Sequence, residues 1–141
     1  MKIILLLHVI GACIWTGGHL VLSFCILPDV LKNKDLNLIT RFEGRFERIG
    51  IPALLTQIIT GFYMAYPMLN AQILDYSAGQ WLALKLLLLL STALLAADAR
   101  LRIIPRLTSN NLTALAWHII PVTIISVLFV IAGVGVHVGG Y

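Results

Sequence analysis

From Ile3 to Pro28 the chain carries no Asp, Glu, Lys or Arg. A membrane-crossing helix needs about 20 consecutive apolar residues, so this stretch is long enough to span a bilayer. It is too long for the core of a signal peptide, and no small-x-small cleavage site with a polar flank follows it. Hydrophobic residues make up 60% of the 141 and charged residues 11%. Soluble domains have about 45–50% and about 25%. Those proportions exclude a water-soluble globule, which needs more polar surface, and a disordered chain, which is poor in hydrophobes. The chain reads as an integral membrane protein.

Three further stretches of the same kind follow. Ile49 to Leu74 is uncharged, with Pro67 and Asn70 expected to end its helix near residue 69. Gly79 to Ala97 holds a single charge, Lys85, and a last stretch follows the loop signal Thr108-Ser109-Asn110-Asn111. The expected fold is all-α, a four-helix membrane bundle forming one transmembrane domain over residues 1–141. Its helices are placed at about 3–27, 49–69, 79–104 and 112–138. Cys13 and Cys25 lie on one helix twelve residues apart, where helical geometry forbids a disulfide, and they are expected to be small buried side chains.

Charge sets the orientation. Lys32, Lys34, Arg41, Arg45 and Arg48 lie between helices one and two, and Arg100, Arg102 and Arg106 between helices three and four. The other side has only Lys2, with Asp75 in its loop. Basic loops stay in the cytoplasm, so both termini should be external, facing the periplasm of a bacterial inner membrane. The net charge of +4 fits anionic lipid and does not call for nucleic acid. In the first basic loop Leu38, Phe42, Phe46 and Ile49 recur at helical spacing, with Arg41, Arg45 and Arg48 on another face. That pattern predicts an amphipathic interfacial segment over about 36–48.

Ionisable groups at membrane depth are costly and mark function. They are His8, His19, Lys85, His118 and His137. At 1.5 Å per residue, His8 and Lys85 lie about 9 Å and about 8 Å in from the outer side. His137 ends helix four at the same side, so these three share an outer-half layer. His19 and His118 fall in the inner half, where each has a plain alternative: a bond to a neighbouring helix for His19, an interfacial place beside Trp117 for His118. His8 and His19 are eleven residues apart, three turns and about 20°. Gly11, Ala12, Trp15 and Gly18 share their stripe, and small residues there admit a helix or a flat cofactor. On helix two, Met64 and Met68 sit one turn apart above Gln57 and Gly61. Thioethers beside imidazoles suit Cu(I), although methionines also serve as packing.

At these residues the sequence resembles known families. Helix one reads His8-x6-Trp15-x2-Gly18. Arg45-Phe46-Glu47-Arg48 precedes a second helix running Pro52 to Gly61. Helix three reads Trp81-x3-Lys85-Leu86 and ends Arg102-x2-Pro105-x-Leu107, and helix four carries Pro121. The chain resembles the CopD copper-resistance membrane domain in a stand-alone four-helix form, and is similar to the HemJ-type protoporphyrinogen oxidases. The first resemblance implies copper uptake or resistance. The second implies a b-type haem held by His8 and Lys85 and redox work on a porphyrinogen. Ala97-Asp98 stands where the second group has a Tyr-His pair.

Three readings follow. The first is a haem protein of the outer half passing electrons, a membrane oxidoreductase in the broad sense, with His8 as one axial ligand and His137 or Lys85 opposite, and Trp15, Gly11, Gly18, His19 and His118 around cofactors. The second is a copper binder or transporter using His8, His137, Met64 and Met68. The third is a porphyrinogen oxidase. The expected partners are the lipid bilayer, a redox partner or a quinone, and a second copy of the chain. Reporter fusions at residues 36 and 108 should read cytoplasmic and one at residue 74 external; an external signal at residue 36 would invert every depth assigned above.

Overall fold

The computed structural model describes residues 1–70 and 76–138, with the side chains of 68–70, 76–78 and 137 outside the description. It holds four helices long and apolar enough to cross a membrane, and no strand among the described residues. The first, α1 (Lys2–Asn33), runs past the expected end at residue 27. A π-helical turn over Leu22–Ile26 places Pro28 in the first turn of the segment Leu27–Asn33, where its missing N–H breaks no helical bond. Lys34, at φ 53°, closes α1 in the left-handed conformation.

The next helix, α2 (Leu36–Asn70), follows at once. Its first turn is capped by Asp35, whose Oδ1 accepts the Leu38 N–H at 3.0 Å. Such caps stabilise a helix by about 1 kcal/mol. The amphipathic segment is thus the first turns of α2 itself. Ile39 is fully buried and Phe42 and Phe46 are half-buried, while Arg41, Arg45 and Arg48 are exposed. Ile49, expected on the apolar inner face, points outward. The third helix, α3 (Tyr76–Asp98), is prolonged by a π turn over Ala99–Ile103 and a 3-10 turn over Ile104–Arg106. The last, α4 (Leu112–Val138), contains Pro121. Prolines inside membrane helices are tolerated where neighbouring helices satisfy the freed backbone groups.

Packing follows chain order only in part. α1 lies chiefly against α2, α3 against α4, and α1 also touches α4. Around the bundle the order is therefore α2, α1, α4, α3. Leu22, Leu27 and Val30 of α1, Ile39 of α2, and Leu112, Leu115 and Ile119 of α4 form a tight core at the basic end. Hydroxyls join α1 to α4: Ser23 meets Thr123 at 2.5 Å, and Thr16 donates to the Ser126 carbonyl at 3.2 Å. In membranes such bonds contribute about 0.6 kcal/mol each. Large apolar side chains such as Phe24, Ile59, Leu90 and Leu94 face outward, as a lipid-facing surface requires. Cys13 and Cys25 face outward too, correcting the expectation that they are buried.

Glycine sets the α1–α2 distance. A methyl group built on Gly11 would lie 2.8 Å from the Ala53 carbonyl oxygen and 2.8 Å from Gln57 Cγ, while one on Gly17 would meet nothing within 4 Å. One on Gly18 would run into the Phe46 ring. Gly11→Ala should therefore cost about 1–3 kcal/mol, because backbone must move. Gly17→Ala should be neutral or stabilising by up to about 1 kcal/mol, since alanine is the better helix former. Unfolding in mixed micelles measures both; equal tolerance at the two sites would mean that this stripe does not carry the helix contact.

Candidate functional site

The polar side chains form two layers. In the outer layer His8, half-buried on α1, faces α2, its Nδ1 2.9 Å from Thr60 Oγ1. The Thr60 hydroxyl has one proton and gives it to the Thr56 carbonyl at 2.5 Å. It can then only accept from His8, so Nδ1 carries the imidazole proton and donates. Nε2 is left with its lone pair, the form in which histidine binds a metal. Gly61 makes room: a methyl group there would sit 3.3 Å from His8 Cε1.

Lys85 of α3 is half-buried and close enough for its charge to act on the His8 ring. Its Nζ lies 3.7 Å from where a Cβ of Gly133 would be. One turn closer to the helix end, the Trp81 ring fills the place that a Cβ of Gly135 would take, 2.6 Å away. The two α4 glycines thus seat two long α3 side chains. Met64 follows Thr60 by one turn on α2 and is half-buried. Met68 and His137 have side chains outside the described residues, and His137 follows Gly133 by one turn on α4.

The inner layer lies around a cavity of about 400 Å³. Trp15 and His19, both buried on α1, stack with ring centroids 4.5 Å apart, and Phe46 meets the His19 ring edge-on at 5.3 Å. His19 Nδ1 donates to the Trp15 carbonyl at 2.9 Å, leaving Nε2 unprotonated in the neutral ring. His118 is different. Its Nδ1 faces the Ala114 carbonyl at 2.9 Å and its Nε2 faces Asp98 Oδ2 at 2.8 Å. Both nitrogens are committed, so this histidine offers no lone pair in the present arrangement. Asp98 also pairs with Arg102 at 3.1 Å, and Arg100 pairs with Glu47. Trp117 beside it is exposed.

Of the sequence candidates, the structure gathers Trp15, Gly18, His19 and His118 into the inner layer, while in the outer layer His8 meets Thr60 of α2 and Lys85 lies against Gly133 of α4. Gly11 lies between them as a helix contact. Sequence reading missed Thr60, which fixes the His8 tautomer, and Asp98, which takes His118. Both are ordinary polar residues in the sequence, and only tertiary packing brings the histidines to them.

Among the described residues, no three of His, Cys, Asp and Glu converge as a metal cluster. The family comparison decides the class. A family model, CopD, Copper resistance protein D, matches residues 40–137. The chain belongs to this copper-resistance family. No match was found among curated proteins or among solved structures. In this CopD-family member the matched region takes in Met64, Lys85 and His118 but begins after α1, so His8, Trp15 and His19 lie ahead of it.

The His8 tautomer is directly measurable. Nitrogen NMR of the protein in bilayers should show His8 protonated at Nδ1. Thr60→Val, which removes the hydroxyl acceptor and leaves the Gln57 carbonyl, should raise the Nε2-protonated fraction. A wild-type His8 protonated mainly at Nε2 would contradict the geometry.

Proposed function

We propose that this copper-resistance family member binds Cu(I) in the outer half of its bundle, as a step in copper handling at a bacterial inner membrane. The observation that supports it most is the His8 ring, pinned by Thr60 with Nε2 left for a ligand. Met64 stands about 6 Å further out on the α2 face that meets His8. Cu(I) is soft and takes imidazole and thioether ligands. A low-coordinate site of that kind does not need the three converging His, Cys or carboxylate groups of a closed centre. Met68 and His137 complete the proposed ligand set from the next turn of α2 and the end of α4.

The ligand count suits cargo rather than a structural ion. Few ligands hold the metal loosely enough to release it, and the outward position suits capture from the external side. The inner layer does not offer an equivalent set, because His118 is committed to Asp98.

One observation favours a second reading. Lys85, half-buried on another helix, is near enough for its charge to act on the His8 ring, and the HemJ-type resemblance assigns that pair to a b-type haem. When bound, haem would supply one-electron redox chemistry. His8 Nε2 and the neutral Lys85 amine would be the residues to hold it, with Thr60 orienting the imidazole.

Competition with a chromophoric Cu(I) chelator tests the copper reading. His8→Ala should weaken Cu(I) affinity by about 100-fold. Thr60→Val should weaken it by about 10-fold, the range seen when outer-shell partners are removed. Met64→Leu should also weaken it, with Lys85→Ala nearly silent. A Soret band in the purified protein that His8→Ala and Lys85→Ala abolish, with no Cu(I) bound, would establish the haem reading instead.

A further inference from the structure

We propose that the inner-half cavity is a binding site for a membrane quinone: a flat ring with carbonyl oxygens and an apolar tail. The inference is independent of which metal the outer layer takes.

Access comes first. α2 and α3 barely touch among the described residues, and the cavity lies between them, bounded by α1 and α4 behind. A ligand reaches it sideways from the hydrocarbon, so part of that ligand is apolar. The volume of about 400 Å³ falls within the range of small-molecule sites, about 300–1,000 Å³.

The wall then selects a flat head group. Trp15, His19 and Phe46 line the cavity, and Phe42 stacks on Phe46 at 5.8 Å. Offset or tilted rings of this kind pack well against another conjugated ring. One polar atom of this wall is available. His19 Nε2 is free because Nδ1 is held by the Trp15 carbonyl, whereas the Trp15 N–H is buried away from the cavity. A quinol hydroxyl can donate to the imidazole.

Charge excludes the commonest rival. Glu43 and Glu47 line the cavity together with Arg100 and His118. The arginine is already paired with Glu47, and His118 with Asp98. An anionic phosphate head would meet carboxylates with no free cation, whereas a neutral quinone would not. An acyl chain alone would leave the His19 Nε2 lone pair without a donor, which burial makes costly. Both π turns contribute lining residues, Leu22 from one and Ala99 and Arg100 from the other. Interrupted helical bonding of this kind recurs at functional sites.

The test titrates decylubiquinone into the full chain in nanodiscs and reads binding by calorimetry against empty discs. Saturable binding is expected. Ala96→Phe, which fills the cavity from the lipid side of α3, should weaken it by more than about tenfold, and His19→Phe, which keeps a ring and removes the acceptor, by about fivefold. Leu94→Phe, on an exposed part of α3, should leave it unchanged. Partitioning without saturation, unchanged affinity in Ala96→Phe or His19→Phe, or equal displacement by dodecane would overturn the proposal. None of these outcomes depends on copper or haem, so failure here and failure of the outer-layer reading are separable.

Discussion

Much of the structure depends on how closely α1 approaches α2. Gly11 leaves its backbone almost touching the Ala53 carbonyl. Any side chain at that position would lever the two helices apart. With the contact in place, His8 sits one helical level above it within hydrogen-bonding reach of Thr60, and Phe46 fits beneath Gly18. One close contact thus sets the outer tautomer and the inner aromatic wall. In a bilayer, where lipid is as apolar as leucine, such small-residue contacts are a main source of helix association.

The two layers then diverge in chemistry because their neighbours differ. His8 and His19 each donate Nδ1–H to an oxygen and keep Nε2 free, one at the outer level and one about 16 Å deeper along α1. His118 has the same Nδ1 arrangement but meets Asp98 with its other nitrogen. Three histidines of similar sequence context thus have unequal ligating power. The difference lies in what stands opposite Nε2.

The four spans were legible in the sequence because hydropathy is a local property and each span is longer than a bilayer demands. Rotation was legible on α1, where Gly11, Trp15 and His19 all proved buried. Other features were not. Each π turn ends two residues before a proline, Ile26 before Pro28 and Ile103 before Pro105, and helical backbone continues past Pro28, so α1 ran past its expected end. The partners Thr60 and Asp98 lie 52 and 20 residues from the histidines they serve. The cavity depends on α2 and α3 being kept apart, a consequence of helix order that no single-helix pattern encodes.

The central claim is that His8 Nε2 is held ready for a soft metal. X-ray absorption at the copper edge of the Cu(I)-loaded protein tests it most directly. The expected spectrum shows an imidazole shell together with sulfur scattering, and the imidazole contribution falls when His8 is replaced by alanine. A spectrum with no imidazole shell, or one unaltered in His8→Ala, would contradict it.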